Sequence, residues 1–124
     1  MAQLSQKRLF LLDMDGTIYL SDRLFDRVPE FLARVRGSGG AVFLTNNSSR
    51  GVEDYIEKLR AMGIETARED YVTSVDAAIR HLRLHHPGRR CYVFGTRSFA
   101  RQLEQAGVPL AAGRDGAEVL LCGF

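Results

Sequence analysis

Short apolar runs alternate along this chain with stretches whose apolar residues keep helical spacing. Residues 8–13, RLFLLD, form an apolar run bounded by polar residues, which predicts a strand covered on both faces, as in a parallel sheet. Residues 16–26, GTIYLSDRLFD, combine the β-formers Ile18 and Tyr19 with the turn-formers Ser21 and Asp22, a pattern for a small hairpin or flap. Phe31, Leu32 and Val35 predict a helix over residues 29–36, stopped by Gly37, and AVFLT at 41–45 is a second strand. NNSSRG then opens a second helix, with Ser49 as its N-cap, Glu53 and Asp54 near the positive end of its dipole, and Tyr55, Ile56, Leu59 and Met62 as its apolar stripe. Gly63 closes that helix, and Ile64 is placed to pack back as in a Schellman ending. DYVTS reads as a third strand, after which Ser74 caps a helix carrying Val75, Ala78, Ile79 and Leu82, ended by Pro87 and Gly88. RCYVFG, a helix from about residue 98 to 106 with Gly107 as its stop, and AEVLLCGF repeat the strand, helix, strand order.

Strands alternating with helices at this spacing imply right-handed crossovers and an α/β fold, a three-layer α/β/α sandwich around a parallel, Rossmann-like sheet. The HHPGRR stretch is the best candidate boundary, dividing the chain into residues 1–88 and 89–124. A length of 124 residues with 45% hydrophobic content is enough for one compact domain or for part of a larger one.

Charge narrows the field of partners. A net charge of +2 gives little reason to expect nucleic acid, and the cluster Arg80, Arg83, His86, Arg89 and Arg90 lacks interleaved aromatics. Cys91 and Cys122 each sit in an apolar run and read as free, buried thiols of a reducing compartment. The apolar stretch at residues 9–12 is too short for a signal-peptide core or a membrane span, so a cytoplasmic protein without membrane attachment is the expectation. His81 and His85 are spaced four apart on a helix, but Leu82 stands where a zincin carries Glu, and they read as a solvated face. GSGG at 37–40 follows a helix instead of a strand and matches neither nucleotide-binding glycine motif.

One run resists a purely structural reading, because the first apolar strand ends in two acids, Asp13 and Asp15. Burying a lone carboxylate is costly unless it is compensated. Residues two apart in extended chain point the same way, and two like charges about 4 Å apart repel by roughly 4 kcal/mol at an effective dielectric near 20. A divalent cation attracts each acid about twice as strongly and outweighs that repulsion, and oxygen-only ligands favour Mg²⁺ over zinc. Ligands of open α/β sheets bind at the carboxyl ends of the strands, where the second strand delivers Thr45 and Asn46, whose side chains can donate to phosphate oxygens. Gly16 lets the backbone turn sharply and bring its amide near a ligand. Cation, carboxylate nucleophile and phosphate donors together describe phosphoryl transfer through an aspartyl-phosphate.

DMDGT after an apolar strand, followed by FLTNNSS, resembles the haloacid dehalogenase superfamily, and the details GTIYL and TNNSSR resemble its class IIA, the nitrophenylphosphatase-like phosphatases of sugar and nucleotide phosphates. The resemblance implies that Asp13 is the nucleophile with its other oxygen on Mg²⁺. Asp15 is implied as general acid and then base, its backbone carbonyl also on the metal. Thr45 would hold the transferring phosphoryl group, helped by Asn46 and the amides from Met14 to Gly16. The substrate would be a small phosphorylated metabolite, and a homo-oligomer is compatible.

The same resemblance exposes departures. Such phosphatases use a Lys bridging nucleophile and phosphate, and a later acidic motif that completes the metal shell. Here the lysines are Lys7 and Lys58, the second in a predicted helix, and GRDGAEV lacks the apolar strand such a motif follows. The chain therefore reads as the first half of the core plus the start of an α/β cap domain, a fragment whose own activity is expected to be negligible. The competing reading is a non-catalytic phosphate- or metal-binding module, or a subunit completed by another chain. Because the first strand is central in the family's sheet, residues 9–12 are expected to have an open edge here.

Overall fold

A computed structural model, which describes residues 6–123, turns this pattern into seven strands and four helices among the described residues. They are β1 (Leu9–Asp13), β2 (Tyr19–Leu20), β3 (Arg23–Leu24), α1 (Val28–Ser38), β4 (Gly40–Thr45), α2 (Val52–Ala61), β5 (Tyr71–Thr73), α3 (Ser74–His85), β6 (Cys91–Gly95), α4 (Arg97–Gln105) and β7 (Val119–Gly123). Two compact units result: the chain up to Thr45 with Val52–Val72, and Asn46–Gly51 with the chain from Thr73 onward. Residues 1–5, and Phe124 at the end of the last expected strand, lie outside the described residues.

In the first unit a sheet of order β1-β4-β5 places β1 at an edge, the open edge expected for residues 9–12. β1 and β4 run parallel with Leu9 opposite Gly40, Leu12 opposite Phe43 and Asp13 opposite Leu44. Alternation puts Phe10, Leu12, Ala41 and Phe43 on one face, and that face meets the core of Met14, Ile18, Tyr19, Leu32, Tyr55, Leu59 and Tyr71. The other face is open: Leu9 is 59% and Leu11 60% exposed. The expectation of a strand covered on both faces is thus corrected to cover on one. Phe43 and Tyr55 both pack on the Tyr71 ring, with centroids 5.4 and 6.3 Å away.

The turn-formers between β2 and β3 do close a hairpin, with Tyr19 opposite Leu24, and Ile18 is buried at its base while Phe25 is exposed. Helix α1 runs through Gly37 to Ser38. The expected stop at Gly37 fails because one interior glycine costs only about 1 kcal/mol, less than α1 gains by burying Val28, Leu32 and Val35. The chain leaves the helix at Gly39, where a Cβ would collide with the Arg8 carbonyl. Helix α2 begins at Val52, later than Ser49, because the Asn47 carboxamide takes up both the Ser49 amide (2.9 Å) and hydroxyl (2.5 Å) in a local turn. Its end is a Schellman motif as expected, with Ile64 N–H on the Leu59 carbonyl at 2.8 Å and Gly63 N–H on Arg60 at 2.9 Å.

In the second unit β6 and β7 form a separate parallel pair, Cys91 opposite Val119 through Gly95 opposite Gly123. Val75 and Leu82 of α3 share one buried cluster with Cys91, Phe99, Leu103 and Val108. Helix α3 thus packs with the elements that follow it. Thr73, one residue ahead of the expected Ser74, caps α3: its hydroxyl accepts the Asp76 amide at 3.1 Å, and Asp76 accepts the Thr73 amide at 2.9 Å. Cys91 is buried, but Cys122 faces outward on β7 and is exposed, which corrects the reading of both thiols as buried. No helix among the described residues is long and apolar enough to cross a membrane.

Candidate active site

The acids at the tip of β1 are held by a tight turn. Met14 is fully buried and anchors it from below, its carbonyl accepting the amides of Thr17 (3.2 Å) and Ile18 (2.9 Å). Asp13 and Asp15, on either side of Met14, are both exposed. That arrangement follows from alternation, since turning one side chain into the core turns its two neighbours out. Gly16 takes φ +82°, a region that disfavours side chains, so the turn requires it. Its N–H donates to the Tyr19 carbonyl at 2.8 Å. The glycine thus gives the turn its backbone shape.

Thr17 was not singled out by the sequence pattern, yet its hydroxyl donates to Asp13 Oδ2 at 3.3 Å. The signal was its position four residues after Asp13 within DMDGT. This bond orients one carboxylate oxygen and leaves the other exposed.

Thr45 ends β4 one residue past Leu44, the partner of Asp13. With strands about 4.8 Å apart and about 3.3 Å of rise per residue, the Asp13 and Thr45 Cα atoms are about 6 Å apart. Their side chains leave opposite faces. Thr45 shares the Phe43 face and is 7% exposed, and its hydroxyl lies 3.5 Å from that of Tyr55, a second residue the pattern read only as core. The tip thus brings Asp13, Asp15, Gly16 and Thr45 into one unit. Asn46 belongs to the other unit, where it is exposed and its carbonyl accepts the Ser74 hydroxyl at 3.0 Å.

Two exposed carboxylates are hard oxygen donors of the kind Mg²⁺ takes, one or two at a time with water filling the rest of its shell. Asp13 and Asp15 fit that ion. No group of three or more His, Cys, Asp or Glu among the described residues forms a fuller metal cage. The only lysine in a described helix, Lys58, is committed elsewhere, with Nζ 3.7 Å from Asp22 and 4.1 Å from the centre of the Tyr19 ring.

Comparison with known proteins agrees with this geometry. The family described as haloacid dehalogenase-like hydrolase matches residues 10–109. The chloroplastic phosphoglycolate phosphatase 1A of Arabidopsis thaliana is 34% identical over 109 residues, covering 86% of this chain and 30% of the relative. A 4-nitrophenylphosphatase of Thermotoga maritima superposes with a TM-score of 0.88 at 34% identity over 97% of this chain and 46% of its own. A glycerol phosphate phosphatase of Mycobacterium tuberculosis, solved in complex with magnesium, gives 0.82 at 27% identity over 94% and 35%. The chain spans less than half the length of each of these relatives. It belongs to the haloacid dehalogenase-like hydrolases.

Proposed function

We propose that this chain carries the first half of the catalytic apparatus of a Mg²⁺-dependent phosphatase of small phosphomonoesters, such as sugar or nucleotide phosphates. The observation that carries the reading is the pair of exposed acids on the β1 turn, with one oxygen of Asp13 fixed by Thr17. Relatives described as phosphoglycolate and glycerol phosphate phosphatases support it.

In this reading the free Asp13 oxygen attacks phosphorus, and the bond to the ester oxygen breaks as that oxygen takes a proton from Asp15. Asp15, now a carboxylate, removes a proton from water, which attacks phosphorus of the aspartyl-phosphate and returns Asp13 as carboxylate. Held by an Asp13 carboxylate oxygen and the Asp15 backbone carbonyl, Mg²⁺ would supply positive charge against the phosphoryl oxygens and leave the Asp15 carboxyl for proton transfer. Thr45, whose hydroxyl lies 3.5 Å from that of Tyr55, is assigned to hold the transferring phosphoryl group. The same reading assigns Gly16 and Asn46 to the phosphate as well. Residues 89–124 we assign to the start of a cap domain. Two free cysteines suit a reducing, cytoplasmic setting.

A non-catalytic metal- or phosphate-binding module, or a subunit completed by another chain, is the second reading. The commitment of Lys58 to Asp22 and Tyr19 favours it for the chain by itself.

The test is ¹⁹F NMR of the chain with millimolar Mg²⁺ and beryllofluoride, a mimic of a phosphoryl group on a carboxylate. Bound resonances that require Mg²⁺ and vanish in Asp13→Asn are expected. Their absence in the parent chain, or their survival in Asp13→Asn, overturns the proposal.

A further inference from the structure

The six residues after Thr45 lie outside every helix and strand, so their carbonyls have no ladder to satisfy them. Three of those carbonyls are met by side chains distant in sequence. Asn46 accepts from the Ser74 hydroxyl at 3.0 Å, Ser49 from the Thr96 hydroxyl at 3.3 Å, and Arg50 from the Gln102 carboxamide at 3.2 Å. The bonds span 28, 47 and 52 residues of sequence, so no local turn dictates them. Ser48, between them, is buried, and a Cβ on Gly123 would stand 2.6 Å from its Oγ and 2.8 Å from Phe99 Cε1. A side chain at residue 123 would therefore force the Ser48 hydroxyl and the Phe99 ring to move.

We infer that Thr96 and Gln102 are positioning residues that fix the Asn46–Gly51 loop through its backbone. Each is built for two tasks. The Thr96 hydroxyl accepts the Phe99 amide at 3.2 Å as N-cap of α4 while its hydrogen goes to Ser49. The Gln102 amide nitrogen gives one hydrogen to Ser98 within the helix, at 3.3 Å, and the other to Arg50. The loop conformation is thus set from α3, α4 and β7, and Asn46 is presented by a frame that the strand preceding it does not supply. The consequence for phosphate binding rests on the function proposed above, whereas the latch itself does not.

Amide hydrogen exchange on the chain tests it with variants that separate latch from fold. Thr96→Asp keeps a helix-capping oxygen but has no hydrogen to give Ser49. Gln102→Met keeps length and helix propensity without either donor. Thr96→Ser keeps both functions. Exchange of the 47–51 amides is expected to rise roughly 3- to 10-fold in Thr96→Asp and Gln102→Met, with α4 amides as protected as in the parent and no change in Thr96→Ser. Unchanged loop exchange in both loss variants, or loosening shared equally by α4, overturns the inference. Beryllofluoride binding read on the same samples is expected to weaken by a similar factor. A parent chain that binds none contradicts the phosphatase reading alone, because the exchange result stands apart from it.

Discussion

Asp13 and Thr45 end neighbouring parallel strands, yet Asp13 leaves the open face of the sheet and Thr45 the buried one. The two residues should therefore fail in different ways when replaced. Thr45→Val removes a hydroxyl set beside Tyr55 in the core and is expected to cost about 1 kcal/mol in urea unfolding. Asp13→Asn touches an exposed group that faces a like charge at Asp15. Stability there should stay within about 0.5 kcal/mol of the parent or rise.

The edge position of β1 and the exposure of Leu9 and Leu11 leave an unpaired strand beside an apolar surface, a template for another chain. Light scattering coupled to gel filtration is expected to show concentration-dependent association of the 124-residue chain. Leu11→Lys should suppress it at little cost in stability, since Leu11 is already 60% exposed. A parent chain that stays monomeric at high concentration would contradict this.

The cysteines divide by environment. Burial, with the nearby Glu118 charge second, pushes the Cys91 thiol above its ordinary range, so at pH near 8 it holds less of the reactive thiolate. Cys122 is exposed. One thiol should react with Ellman's reagent within the mixing phase and the other only as the chain unfolds, and Cys122→Ser should remove the fast phase.

Turnover of 4-nitrophenyl phosphate by the isolated chain should be indistinguishable from buffer. Removing one preorganised charge-stabilising group typically costs about 10² to 10³ in rate, and here Lys58 is held by Asp22 and Tyr19 while no third acidic ligand joins Asp13 and Asp15 among the described residues. Release of nitrophenol that disappears in Asp13→Asn would refute this.

Much of the fold was legible because its signals are local. Hydrophobic period placed every helix to within a few residues, and Gly63 followed by Ile64 announced a helix ending that the backbone bonds bear out. The misreadings share a cause, which is dependence on partners distant in sequence. Nothing near Leu11 tells that one face of its strand lies open. Ser49 looks like a helix cap until the Asn47 side chain claims it. The two acids stood out by charge alone, while the contacts of Thr17 with Asp13 and of Tyr55 with Thr45 required coordinates.

The account rests most heavily on Asp13 and Asp15 sharing a magnesium ion at the β1 tip. Titrating Mg²⁺ into the ¹⁵N-labelled chain and following amide shifts tests this directly. Saturable shifts confined to residues 13–17, absent with K⁺, lost in Asp13→Asn and kept in Asp15→Asn, which retains the backbone carbonyl, are the expected result. Shifts scattered over the acidic surface, or unchanged when Asp13 is replaced, would contradict it.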